Sequence, residues 1–383
     1  MERTIDPAVV EHVAHVADGA RVASRRLVDA WRSDTARERR EADDAARLTA
    51  DAHVTPAADA SLGGGDRGVD VVAAASGDDD TLTLLLLCCH PALTPPAQIA
   101  LTLRAVGGLT TAEIARAFLV PEATMAQRIS RAKARIREEG ARFEAPSAAD
   151  LPERMRAVLH VLYLVFTEGH TATSGEQLHR VDLTAEAIRL ARVARRLQPD
   201  DGEVAGLLAL MLLTEARRPA RLDTEGRLVL LAEQDRTRWD QAAIAEGVAL
   251  VEDALTHTAL GPYQVQAAIA AVHDEAAAPA DTDWPQVLAL YDVLERLTPG
   301  PVVALNRAVA LAMVQGPAEG LKVVDALATD RRLARHHRLH AVRAHLLEAA
   351  GDTDAAREEY ALASRLATSI PEQDHLRRKA ESL

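Results

Sequence analysis

Aromatic side chains make up only 3% of this 383-residue chain, and cysteine occurs just twice, side by side at Cys88 and Cys89. Adjacent cysteines cannot close an ordinary disulfide with each other, because the short peptide between them forbids the usual geometry. A disulfide-stapled scaffold is therefore excluded, and a reducing cytoplasm is expected. No charged segment followed by an apolar stretch opens the chain, and the run Leu84 to Leu87 is far too short to cross a bilayer. Neither secretion nor membrane insertion is expected. A glycine-rich phosphate loop, a nucleophile elbow and a dinucleotide-binding fingerprint are all missing, which argues against an enzyme and against a bound cofactor.

What is present is hydrophobic residue, 48% of the chain, enough for two or three domains to bury a core each. Alanine, leucine and arginine dominate, so summed propensity favours helix nearly everywhere outside the Gly/Pro stretches, and the fold class expected is all-α. The formal net charge of -13 argues against a nucleic-acid coat over the whole surface, yet charge is unevenly placed. Local patches decide.

Residues 21–40, "RVASRRLVDAWRSDTARERR", hold seven arginines against three acids, with Val22, Leu27, Val28 and Trp31 forming one apolar stripe. This pattern reads as a basic amphipathic helix. The following stretch, rich in Ala, Gly and Asp, has no sustained period and reads as a linker. From Leu82 a helical pattern resumes, with Thr94-Pro95-Pro96 marking a helix start. "EAPSAADLP" at 144–152 is a second linker, and helices fill the rest. Within that rest, 307–327 and 343–363 run in parallel at an offset of about 35 residues, with Gly316 and Gly351 in the same place. An earlier, looser copy spans 187–213. The period suggests tetratricopeptide-like hairpins.

The stretch "LTTAEIARAFLVPEATMAQRISRAKARI" at 109–136 carries the sharpest signal. Thr110 is a good N-cap, Glu113 its capping-box partner, and Ile114 with Ala115 point inward. Pro121 suits the first helical position of a second helix, whose core face is Met125, Ile129 and Ala132 or Ile136. Two short helices around a tight turn make the helix-turn-helix plan, whose second helix enters a major groove. Residues 121–137 hold Arg128, Arg131, Lys133, Arg135 and Arg137 against one acid, Glu122. Thr124, Gln127 and Arg128, near the start of that helix, are placed to reach base edges, while Arg131, Lys133 and Arg135 position it on phosphates. Leu119 stands where many such turns carry glycine, which implies a turn without positive φ.

Other chemistry is weaker. His336 and His340 share a helix face at i, i+4 and could hold a metal, but neighbouring arginines disfavour a cation and no Glu completes the pattern. Cys88, Cys89 and His90 offer soft ligands, although adjacent residues on a helix diverge. Glu168, His170 and His179 sit in a polar stretch where a catalytic pair is conceivable, and a capped interhelical loop is the plainer reading. No metal site is expected.

Taken in order, "CCHPAL", the 100–136 stretch, "LYLVFTEGHTA", "PDDGEVAGLLALMLL", "GPYQVQAAIAAVH", "TDW" and "VVALNRAVALA" resemble the bacterial extracytoplasmic-function sigma factors, specifically the subgroup with a tetratricopeptide-like C-terminal extension. The resemblance implies a cytoplasmic promoter-specificity subunit whose partners are promoter DNA and RNA polymerase core. It implies a region-two remnant at 1–48, a linker at 49–81, a region-four domain at 82–143 that reads the −35 element, a linker at 144–152 and a helical extension at 153–383. Residues 21–41 are similar to the last region-two helix, so Arg25, Arg26, Trp31 and Arg32 match the positions that contact the −10 element. The preceding region-two helices do not match, which is expected of either a truncated product unable to initiate alone or a natural derivative. The acidic extension could also dock on the basic helices. A helical-repeat interaction scaffold with a vestigial helix-turn-helix is the alternative from another class.

Overall fold

Prolines and short polar residues set most of the helix starts. In the computed structural model the residues described are 78–118, 120–140, 146–147, 150–172, 178–330, 333 and 336–383. Arg25, Arg26, Trp31 and Arg32, the basic helix they were expected to form, most of the first expected linker and Leu119 lie outside them. The described residues hold α-helices and four short 3-10 turns, with one isolated antiparallel bridge, Leu222 to Leu228, and no strand. The all-α expectation holds.

Four helices come first: α1 (Asp78–Cys88), α2 (Pro95–Ala105), α3 (Thr111–Ala117) and α4 (Glu122–Glu138). Helix α1 begins inside the expected linker. α5 (Leu151–His170) likewise starts within the second expected linker, behind Ser147, whose hydroxyl donates to Asp150 at 2.6 Å and accepts from the Asp150 N–H. α6 (Val181–Leu197) and α7 (Gly202–Ala216) follow. Helix α7 is apolar nearly all round, as a helix buried on every side must be. Its N-cap, Asp201, accepts from the Glu203 and Val204 N–H groups.

Beyond an irregular connection at 217–240 come α8 (Gln241–His257), α9 (Pro262–Glu275), α10 (Trp284–Leu297), α11 (Pro301–Gln315), α12 (Pro317–Leu327), α13 (His337–Ala350), α14 (Thr353–Leu366) and α15 (Ile370–Ser382). Pro262, Pro301 and Pro317 each occupy the first helical position, where the missing N–H costs nothing. Helix α9 packs most heavily on α7, and from α10 onward each helix packs chiefly on its neighbours in sequence, so buried clusters follow one another along the chain: Val265 with Val287 and Leu294, then Leu305 with Val324 and Leu346, then Tyr360 with Leu376. Gly316 and Gly351, matched in the sequence, both turn the chain at positive φ, +98° and +86°, between α11 and α12 and between α13 and α14. Side chains rarely adopt that conformation, which is why glycine recurs there.

Asp78–Leu383 forms one unit. Arg154 on α5 donates to the Leu86 carbonyl at 3.2 Å, and Arg189 on α6 donates to the Val106 carbonyl at 3.3 Å. The first four helices are thus fastened to α5 and α6 through α1 and the end of α2.

Candidate nucleic-acid interface

Helix α3 is closed at its start by reciprocal hydrogen bonds. The Thr110 N–H and hydroxyl both donate to Glu113 Oε2 at 2.7 Å, and the Glu113 N–H donates to the Thr110 hydroxyl at 3.2 Å. Such a box fixes the entry of a short helix that could not hold itself in water. Ile114 and Ala115 then face the core, and Met125, Ile129 and Ala132 of α4 bury against α2 and α3. Ile136 is half-buried. The first helical residue of α4 is Glu122, so Pro121 is the N-cap in extended conformation (φ -56°, ψ 141°), one position earlier than expected. The shift follows from the pairing of Pro121 with ψ in the β range, which ends the turn before the helix begins.

With the apolar face of α4 turned inward, the polar residues sort by the 3.6-residue period. Thr124, Gln127, Arg128 and Arg131 stand at i, i+3, i+4 and i+7, one stripe along the helix. Thr124, Gln127 and Arg131 are exposed and Arg128 is half-buried. Arg128 and Arg131 make no ion pair among the described residues, so their charge faces solvent uncompensated. Arg135 continues the stripe, but its guanidinium lies 2.7 Å from Glu139 and 3.7 Å from Glu138. Exposed pairs of this kind are weak, so Arg135 can exchange these acids for another anion at little cost. Lys133 and Arg137 fall about half a turn away from the stripe. Thr124, Gln127, Arg128 and Arg131 therefore form a common surface, and Lys133 does not share it.

The remaining polar clusters are structural in geometry. The His170 and His179 rings lie 5.9 Å apart, and Arg221 binds between them, donating to the His170 carbonyl at 2.5 Å and to the Thr171 hydroxyl at 3.0 Å. His170 Nδ1 is 3.8 Å from Glu215 Oε2, too long for a hydrogen bond. Burial, reinforced by Arg221, pushes the His170 pKa down to about 4 despite the opposing pull of Glu215. His336 caps α13 by accepting from the Arg338 N–H, and His340 hydrogen-bonds Glu359 at 2.7 Å. Among the described residues no three His, Cys, Asp or Glu side chains converge as a metal site would require. Cys88 and Cys89 are both buried and free, and Cys89 Sγ approaches the Thr102 hydroxyl at 3.8 Å.

Sequence reasoning passed over the connection at 217–240. There Trp239 is flanked by the guanidinium groups of Arg217 and Arg236, 5.7 and 4.7 Å from its ring centre, and Arg217 binds the buried Asp274 at 2.5 Å. The cluster of arginine and acid around one tryptophan was the only signal available, and no periodicity marks it.

A capped helix, a tight turn and an exposed second helix with a cationic stripe define a helix-turn-helix DNA-binding module joined to an all-helical extension. Residues 83–136 match the family described as "Sigma-70, region 4", which makes this part of the chain a sigma-70-type domain, and residues 154–255 match "Family of unknown function (DUF6596)". A curated protein of Rhizobium meliloti (strain 1021), "Uncharacterized protein R00370", is 47% identical over 294 residues, a span that covers 77% of this chain and 69% of that protein. The chain belongs to the same family as that protein. No described helix is long and apolar enough to cross a membrane.

Proposed function

We propose that this chain is a sequence-specific transcription initiation factor of the extracytoplasmic-function type, acting in the cytoplasm on promoter DNA together with RNA polymerase core. The observation that carries the reading is the solvent-facing stripe of Thr124, Gln127, Arg128 and Arg131 on a helix seated by Met125 and Ile129. Thr124, Gln127 and Arg128 read base edges of a −35 element, and Arg131 holds a phosphate, with Arg135 joining once it releases Glu139. Lys133 and Arg137 lie off this surface and contribute to the wider positive field. This reading takes a region-four domain at 82–143 and a regulatory extension at 153–383 built of tetratricopeptide-like hairpins, with α1 and α5 each beginning a few residues ahead of those bounds. Neighbour-by-neighbour packing from α10 to α15 and the paired positive-φ glycines support that account of the extension. The function is non-covalent, without cofactor or metal. Among the described residues, the extension's hydrogen bonds to the Leu86 and Val106 carbonyls lie away from the reading stripe.

The test is selection from a random duplex pool by the full chain, alone and with RNA polymerase core. Wild-type protein is expected to enrich one shared motif and to be retained by core. Arg128→Glu with Arg131→Glu is expected to abolish the enrichment while leaving retention by core intact. Equal enrichment by both proteins, or none by either, would reject the assignment.

A further inference from the structure

Helices α1 and α2 both end on backbone carbonyls that their own turns leave without a partner, as every helix must. At the end of α1 the Leu85 and Leu87 carbonyls accept from the N–H groups of Cys89 and His90, and the Leu86 carbonyl accepts from the guanidinium of Arg154 at 3.2 Å. At the end of α2 the Thr102 and Leu103 carbonyls accept from the N–H groups of Val106, Gly107 and Leu109, and the carbonyl of Val106, the C-cap, accepts from the guanidinium of Arg189 at 3.3 Å. The extension thus supplies one donor to each end, and a cation suits the negative end of a helix in both places.

The second of these ends carries the turn, 106–110, that leads into the helix-turn-helix. Arg104 closes the turn from within by donating to the Leu109 carbonyl at 3.2 Å. Helix α6 closes it from outside. Arg189 is aimed by two hydrogen bonds to the Glu186 carboxylate, at 2.8 and 2.9 Å, and Glu186 itself is only 12% exposed. Its carboxylate lies against Gly107, where a Cβ would come within 3.2 Å of Glu186 Oε1 and 2.8 Å of the Leu103 carbonyl, so glycine is what lets α6 approach the turn. Helix α3, which follows, has seven residues and is too short to hold itself in water, yet it is one of the two helices against which α4 seats Met125 and Ile129. What fixes the turn therefore bears on α4 through α3.

We propose that Arg189 and Glu186 are positioning residues for DNA reading, holding the turn between α2 and α3 so that α3 and α4 meet a duplex already in their reading arrangement. The proposal rests on the reading of DNA by the α4 stripe and adds to it two side chains of the extension that act through the turn. Ordering the module before it binds spares the binding step that cost. Helix α6 is then part of the reading machinery, although it contributes nothing to the stripe.

The test takes the full chain through two measurements, amide hydrogen exchange without DNA and binding to the duplex that the wild-type chain enriches. Arg189 is exposed, so Arg189→Ala should fold. It is expected to quicken exchange across 106–118, to leave exchange elsewhere unchanged, and to weaken duplex binding about threefold to tenfold, the worth of one hydrogen bond from a charged donor. The salt slope of binding is expected to stay that of wild type, because no phosphate contact is lost. Arg189→Lys, which keeps a donor for the Val106 carbonyl, is expected to recover most of the affinity. Arg192→Ala removes the same charge from the same helix, where it pairs with Glu246 of α8 at 2.8 Å, and is expected to match wild type in both measurements. Exchange across the turn that does not change in Arg189→Ala, duplex affinity equal to wild type, or a slope shallower by about 1, which would put Arg189 on a phosphate, overturns the proposal. A wild-type chain that selects no duplex while exchange still quickens in the variant rejects the DNA reading, and the positioning role with it, whereas selection with unchanged exchange rejects the positioning role alone.

Discussion

His273 on α9 sets up a pH dependence whose size follows from its surroundings. Its ring packs edge-on against Trp284 at 5.2 Å, and Arg236 donates to its backbone carbonyl at 2.6 Å. Burial, followed by the nearby Arg217 and Arg236 charges, pushes its pKa from 6.5 down to about 4. The folded chain thus holds this imidazole neutral, whereas the unfolded chain protonates it near 6.5. Stability from this group is complete above that value and is lost as pH falls toward 4. At about 1.4 kcal/mol per unit, the loss between pH 7.5 and 4.5 is about 3 kcal/mol. Asp274 works in the opposite direction, because burial raises its pKa to about 6, so the wild-type curve alone does not isolate the histidine. The gap between wild type and His273→Gln does. Urea unfolding followed by tryptophan emission reports on this cluster through Trp239 and Trp284. The gap is expected to shrink by about 3 kcal/mol from pH 7.5 to 4.5, and a gap that stays constant would refute the reasoning.

Three further outcomes follow from the packing. Met125→Ala, at a side chain only 1% exposed, is expected to lower stability by about 2–5 kcal/mol and, by loosening α4, to remove DNA binding in the same preparation. Thr110→Ala breaks the box at the start of α3 and should cost about 1 kcal/mol, read as faster hydrogen exchange across 111–118 with little change elsewhere. Burial raises the Cys88 thiol well above its usual range and the Cys89 thiol to about 12, so neither should react with a thiol reagent at pH 8 until the chain is denatured, when two groups per chain should appear.

Local rules made the helix-turn-helix legible. Thr110 and Glu113 are three residues apart, the core positions Met125, Ile129 and Ala132 follow the helical period, and Gly316 and Gly351 announce turns by their repeat. These signals live within one or two turns of chain. The same period could have separated Lys133 from Arg128 and Arg131, which a count of cations along the sequence does not. Pro121 fell one position off because proline suits both the N-cap and the first helical residue, and only the backbone decides. What sequence could not supply is long-range assembly. Trp239 between Arg217 and Arg236, and Arg189 on the Val106 carbonyl, are pairings set by how distant stretches meet, and neither leaves a periodic mark.

The central claim is that α4 reads DNA through one stripe, and the most direct test is the salt dependence of binding to a duplex carrying the enriched motif. For the full chain, affinity is expected to fall linearly on a log–log plot against salt and to exceed that for a scrambled duplex. Arg128→Glu with Arg131→Glu is expected to lose that preference with the base contact of Arg128 and, with the Arg131 phosphate contact gone, to show a slope shallower by about 1. Wild-type protein that ignores the motif at low salt, or a variant with unchanged affinity and slope, would contradict the account.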